Sequence, residues 1–316
     1  VTPQAQIPIV AKVTDDYGLA RCELCYAVDQ AESRHLPQSL KVDLPNKINV
    51  ETALDLRDAT ADGNSVHPDV APGSRLVIWI EARDACDLRS ATQVGSSQRF
   101  ALDVVTPAEL LLLLERLELA DRQRFETIGD RSTDTRSMLA RIDLGGQPFT
   151  EADDVEIAPD AVRAADLRRL RVTGALQNIS QATEEVASVA DGFHNLHDQL
   201  VNNRIADRVL QMRLREQIAV PLADLSHHDM PAVSARLSAV DSSLPDVATA
   251  ATALRQATEQ TDALLVRMQE ILERMLELES YNEVVALLRG IISDQEQLNN
   301  KTRQRRQQGL RDLLEE

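Results

Sequence analysis

Aromatic residues are scarce in this chain: one Trp, three Tyr and four Phe in 316 positions. Only four of the eight fall in residues 107–316. That longer part must therefore bury Leu, Ala, Val, Ile and Met, as helical bundles and coiled coils do. Long apolar runs are also missing, and nothing approaches the roughly 20 residues of a membrane span. Even the leucine run Leu110–Leu114 is flanked by Glu109 and Glu115. Positive charge is in deficit, with 34 Lys+Arg against 51 Asp+Glu and a net charge of −17. Such a balance repels phosphate backbones and speaks against a nucleic-acid partner. The signature motifs of nucleotide and hydrolase chemistry are absent, among them GxSxG, the P-loop, GxGxxG and HExxH. The expectation is a protein that is not an enzyme, with no catalytic residue and no cofactor.

Three cysteines give an odd count and leave the redox compartment open. Cys22 and Cys25 form a literal CxxC, but within an alternating segment. Positions i and i+3 of a strand face opposite sides, so the pair is expected to share neither a disulfide nor a metal. The chain begins at Val1 already in a strand pattern, and no signal-peptide pattern precedes it. The reading is a piece of a longer protein, with any membrane anchor upstream.

What is present divides at Thr106. Residues 1–106 alternate with period two, and candidate strands are Gln6–Thr14, Ala20–Val28, Leu40–Leu44, Asn49–Leu56, Arg75–Arg83 and Gln98–Val105. Turn residues separate them at Asp15-Asp16-Tyr17-Gly18, Ala61-Asp62-Gly63-Asn64 and Pro72-Gly73-Ser74. Leu76, Ile78, Ile80 and Ala82 share one face of the fifth candidate, with Val77 and Trp79 on the other. This predicts a central strand with Trp79 as a core anchor. Six short strands in about 100 residues predict an immunoglobulin-like β-sandwich. Thr106-Pro107-Ala108-Glu109 then combines a capping box with proline at the first helical position.

Past that boundary the fold class becomes α+β overall: a sandwich over 1–106, then an elongated helical domain over 107–316. Helices are expected at about 107–143, 160–220, 230–241 and 245–295. Prolines 107, 148, 159, 221, 231 and 245 are expected at helix ends. Leu176, Ile179, Thr183, Val186, Ala190, Phe193, His197 and Leu200 keep heptad spacing, and Arg204 and Asp207 break it in what reads as a stutter. Ala257, Thr261, Leu264, Met268, Ile271, Met275, Leu278, Asn282 and Val285 repeat the pattern. Two long helices joined by a short, proline-rich connector are expected to run antiparallel as a coiled-coil hairpin.

Four clusters could carry chemistry. His194, His197 and Asp198 sit on one helix face at metal-ligand spacing, and His227-His228-Asp229 is a second group. Solvated polar residues are the simpler reading of both. Asp15, Asp16, Asp84 and Asp87 lie at strand ends, where cadherin-like sandwiches hold calcium, although a hairpin turn explains Asp16 and Gly18 as well. The basic run Lys301–Arg306 reads as a solvated helix end. No metal is assigned to any of them.

Asp15-Asp16-Tyr17-Gly18-Leu19, with a strand ending Tyr26-Ala27-Val28, resembles the DDYGL-type sandwich of large bacterial cell-envelope proteins. Glu81-Ala82-Arg83-Asp84-Ala85 is similar to its late strand. Val104 to Leu110 is similar to its exit into the helix, and Leu276 to Val285 to the terminal helix. The resemblance implies a sandwich followed by a long helical coiled-coil region, outside the cytoplasm and behind a membrane-anchored segment. It carries no activity and no catalytic residues. The expectation is therefore a structural or protein-interaction module acting as a rigid spacer, with an unidentified protein partner. Two alternatives are a coiled coil that relays a signal through the Arg204 stutter and an accessory domain of a metal-dependent enzyme.

Overall fold

The computed structural model describes residues 1–37, 46–57, 68–85, 93–144 and 159–315. It is a mixed α+β chain, with antiparallel sheets first and helices after. Two compact units divide it: residues 1–116 with 195–211, and residues 117–194 with 212–316.

Among its described residues the first unit holds two sheets. β1 (Gln6–Thr14) pairs antiparallel with β4 (Lys47–Asp55), from Gln6↔Asp55 to Thr14↔Lys47. β2 (Leu19–Val28) lies between β3 (Arg34–Pro37) and β5 (Arg75–Asp84). The free edge of β5 takes β6 (Val94–Ser96) and β7 (Phe100–Asp103). β5 is thus central, as its two apolar faces predicted. β3 and β6 are short strands not anticipated, and the expected strand Leu40–Leu44 lies outside the described residues. One core joins the sheets: Cys22, Leu24, Tyr26, Leu76, Ile78 and Ile80 pack with Val50, Leu54 and Leu56. Trp79 is buried but is not in this core; it lies on the opposite face of β5. Strand alternation sets it opposite to Ile78 and Ile80, and its indole N–H donates there to Glu81.

The DDYGL segment earns its residues structurally. Asp15 Oδ2 accepts the Tyr17 amide at 2.9 Å, closing an Asx turn. Gly18 then takes φ 98°, and its carbonyl accepts the Ala85 amide at 2.7 Å. Leu19 enters the core directly afterwards.

Four helical runs follow among the described residues. α1 (Pro107–Ala140) starts at the expected capping box: Glu109 accepts the Thr106 amide at 2.8 Å, while Thr106 Oγ1 accepts the Glu109 amide at 3.2 Å. Between 117 and 194, α1 and α2 (Pro159–Asn202) are antiparallel. Arg124 reaches Ser188 (3.1 Å), Arg131 reaches Glu185 (2.7 Å) and Arg168 reaches the Asp143 carbonyl (2.6 Å), so one number rises as the other falls. The buried stripe of α2 is Val172, Ala175, Ile179, Ala182, Val186, Val189, Phe193, Leu196 and Leu200. Five of the eight expected heptad residues are buried, Ala190 among them beside Val189; Leu176, Thr183 and His197 give way as seam residues to their preceding neighbours. Small alanines at 175 and 182 let a neighbouring backbone approach more closely than Leu or Thr would.

The expected helix over 160–220 stops at Asn202. Arg204 adopts φ 53°, Ile205 N–H donates to the Leu200 carbonyl (3.0 Å) and Arg204 N–H to that of Val201 (3.0 Å). This is a Schellman cap with arginine where glycine is usual. Asp207 then caps a new helix, accepting the Leu210 amide at 3.0 Å. The inferred stutter is therefore a helix break.

From 208 to 243 the chain is again helical through α3 (Arg208–Met212), α4 (Val220–Asp224) and α5 (Met230–Ser243). Wide π turns, Arg213–Ala219 and Leu225–Asp229, join them. Pro221 and Pro231 lie inside this run instead of ending helices. Just ahead of each, Val220 donates to the Arg215 carbonyl and Met230 to that of Leu225, five residues back. The extra residue per turn relieves the clash between a proline ring and the carbonyl four positions earlier. α6 (Val247–Glu315) returns antiparallel to α5, with Arg236 reaching Gln256 (3.2 Å) and Arg267 reaching Asp229. Met230, Val233, Leu237 and Val240 are buried there, as are Ala250, Ala257, Leu264 and Met268.

Candidate functional site

Three features of the described residues offer more than packing. The first is the face of the β3-β2-β5 sheet that turns away from the shared core. Cross-strand register sets Cys25 opposite His35 on one side and Trp79 on the other. Two positions along, Glu23 stands opposite Glu81. Alternation along β2 and β5 puts all five on one face. Cys25 is fully buried and Glu23 is 3% exposed, whereas His35 opens to solvent.

Contacts within this group are specific. Cys25 Sγ lies 3.1 Å from His35 Nδ1, and Glu23 Oε2 lies 3.8 Å from the same nitrogen. Trp79 Nε1 donates to Glu81 Oε1 at 2.8 Å, and the Arg99 guanidinium sits over the indole at 4.5 Å. Arg21 meets Glu23 Oε1, which accepts no well-formed hydrogen bond although it is enclosed. Burial, then the charges of Glu81 and Glu23, push the Cys25 thiol up to about 12. Burial and Glu23 also raise Cys22, which faces the core between the sheets. Both sulfurs are free, on opposite faces as the strand period predicted, and protonated at neutral pH. Among the described residues, one group of three or more His, Cys, Asp and Glu brings its ligand atoms together: Cys25, His35 and Glu81, all within 4.8 Å of one another.

The second feature is the helix break at 203–204, anchored on the sheets of the same unit. Asn203 Oδ1 accepts the buried Thr2 amide at 2.6 Å, and its carbonyl accepts Thr2 Oγ1 at 3.2 Å. Arg204 grips Asp55 with two bonds of 2.7 Å and the Gln4 carbonyl at 2.6 Å. The guanidinium holds the Asp55 carboxyl well below the usual carboxylate range, with help from Arg57. This is a structural clasp: both charges are consumed by each other.

The third is the distal half of α6. Up to Leu278 its stripe is buried. Beyond, Val284, Leu287, Leu288, Ile291, Ile292 and Leu298 are each more than half exposed. Val284, Leu288, Ile291, Gln295 and Leu298 run at alternating four and three spacing, which makes a continuous helical face.

The clusters picked out in the sequence are satisfied one residue at a time. His194 donates through Nδ1 to the Ala190 carbonyl (2.9 Å), and His197 Nδ1 pairs with the adjacent Asp198 (3.2 Å). His227 donates to the Ala223 carbonyl (2.7 Å), His228 is 3.8 Å from Asp224, and Asp229 is taken by Arg267. Asp84 accepts the Gln93 amide (3.1 Å) and Asp15 closes its own turn, while Asp16 is exposed. Asp87 lies outside the described residues. Asp15 and Asp84 do line one cavity of about 470 Å³ between Lys12 and Ser97, with no third carboxylate beside them among the described lining residues. Lys301 to Arg306 are exposed on α6. No helix among the described residues is long and apolar enough to cross a membrane.

No family model, curated protein or solved structure matches this chain.

Proposed function

We propose that this protein is a non-enzymatic interaction scaffold of the bacterial cell envelope, in which α6 docks an apolar helix of a partner protein. The observation that carries the reading is the exposed stripe from Val284 to Leu298. Six large aliphatic side chains in open water are a standing cost of roughly 1.5–3 kcal/mol each relative to burial, and a partner helix recovers part of it. Mounting the stripe on a 69-residue helix whose first half is packed against α5 gives it a rigid base. Immunoglobulin-like organisation of the sheets and a coiled-coil character of the helices belong to the same reading. They are supported by two antiparallel sheets sharing one core and by antiparallel helices with three-four buried stripes. The placement outside the cytoplasm rests on the sequence resemblance around Asp15–Leu19. Net acidity of the helices argues for a protein partner over nucleic acid.

Photo-crosslinkers placed at Ile291 and, as a control, at the exposed Glu296 test the reading in cells of the source organism. Adducts to one protein from position 291, lost when Leu287 and Leu288 become Gln, are expected. Equal labelling from 291 and 296 would remove the docking face.

The signal-relay alternative required a continuous helix through Arg204. At that residue the chain has a Schellman cap instead of a stutter, and no observation favours the relay.

A further inference from the structure

From the outer face of the β3-β2-β5 sheet we infer that Cys25, His35 and Glu81 form a site for a zinc-class divalent ion. A thiol, an imidazole and a carboxylate are ligand types zinc takes, and three protein ligands leave its fourth position to water. Their three ligand atoms lie within 4.8 Å of one another. Tetrahedral bonds of roughly 2.0–2.3 Å separate ligand atoms by about 3.3–3.8 Å. Here Cys25 Sγ and His35 Nδ1 are 3.1 Å apart, so an ion would part them by a few tenths of an ångström, and Glu23 Oε2 stands 3.8 Å from Nδ1 as a nearby negative charge.

Three strands supply the ligands, and the register holds them there. Cys25 faces His35 across β2–β3, and Glu23 faces Glu81 across β2–β5. Without a cation this arrangement is unfavourable: two glutamates directly opposite one another repel. One of them, Glu23, is 3% exposed, with Oε1 held by Arg21 and Oε2 turned toward His35. Arg21 offsets part of that charge, and a divalent ion would offset the rest.

Outer contacts are in place as well. Trp79 Nε1 orients Glu81 through its 2.8 Å bond. Ser33 Oγ stands 3.5 Å from His35 Nε2, the nitrogen opposite the ligating one. A proton on Nε2 facing Ser33 leaves the Nδ1 lone pair for the ion. His35, the exposed member, gives the ion a route in. On binding, the Cys25 S–H bond breaks, its proton leaves to solvent, and the thiolate forms the metal–sulfur bond. His35 binds as the neutral imidazole, and no oxidation state changes.

Cobalt(II) is the probe, because a thiolate bound to it gives a near-ultraviolet charge-transfer band and a tetrahedral site gives visible absorption. The whole chain, stripped by a chelator, is titrated with cobalt and then competed with zinc. One equivalent should bind with both bands and be displaced by zinc. Cys25→Ser should abolish the charge-transfer band, and His35→Gln, at an exposed position that leaves folding intact, should weaken binding by roughly ten-fold or more. Trp79→Phe should weaken it within roughly 10- to 100-fold with the bands retained. Cys22→Ala, on the other face, should change neither. Absence of the charge-transfer band in the native chain overturns the assignment. So does binding that survives both Cys25→Ser and His35→Gln unchanged, which would mark an adventitious ion.

Discussion

Arg204 shows how one side chain can hold an unfavourable backbone. A non-glycine residue at φ 53° costs roughly 1–2 kcal/mol, and the doubly bonded Asp55 compensates. Two substitutions separate these effects. Arg204→Gly loses the ion pair but relieves the strain; Arg204→Ala loses the pair and keeps the strain. Chemical denaturation should therefore find the alanine variant less stable than the glycine variant by about 1 kcal/mol. Equal stabilities would mean that the backbone there is not strained. pH provides a second handle. The folded-state pKa of Asp55 is depressed, so its contribution is complete above the unfolded value of about 3.9 and is lost as pH falls below it. Acid destabilisation between about pH 4 and 2 should be smaller in Asp55→Asn than in the native chain. Asn203→Ala would leave the buried Thr2 amide without its acceptor, at a cost of roughly 1–3 kcal/mol. At this scale the sequence was partly legible. Arg204 and Asp207 were recognisable as a register break, but the positive φ that makes the break a cap depends on Asp55, 149 positions away.

Among the elements, those with strong local signals were the readable ones. β1, β2 and β5 announce themselves by alternation, and α1 by its capping box. β3 and β6, at four and three residues, are too short for any period to show. α1 hides its buried face because Glu118, Ser132 and Thr135 lie in it among Leu114, Phe125, Ile128 and Leu139. Proline 221 and proline 231 misled for a physical reason: a π turn ahead of each lets a helix carry what normally ends it. The Cys25 group was invisible because cross-strand register, not spacing along the chain, assembles it. Gly192 makes an element-scale prediction. A Cβ there would overlap the Asp121 carboxylate, whose pKa burial raises. Gly192→Ala should therefore destabilise, despite a helix-propensity gain of about 1 kcal/mol. Adding Asp121→Ala should recover that gain, as thermal melts of the single and double variants would show.

For the molecule as a whole, the described residues of α6 are buried along its stripe up to Leu278 and exposed from Val284 onward. Met275 and Leu278 are fully enclosed, while Leu287 is 69% exposed. Met275→Ala should cost roughly 2–5 kcal/mol through the cavity it leaves, whereas Leu287→Gln should stay within about 0.5 kcal/mol. The composition of residues 107–316 pointed to helices packed on Leu, Ala, Val, Ile and Met, and the buried stripes of α2 and α6 are built from those residues with Phe193 and Thr261 besides. It could not show that one stripe ends in solvent, because exposed and buried leucines are the same letters. Hydrogen exchange along α6, in the free chain and after addition of the crosslinked partner, tests the docking face most directly. The account predicts firm protection up to Leu278, weak protection over 284–298, and a gain confined to 284–298 when the partner is bound. Protection already uniform across 264–298 in the free monomer would contradict it, since the stripe would then have no place for a partner.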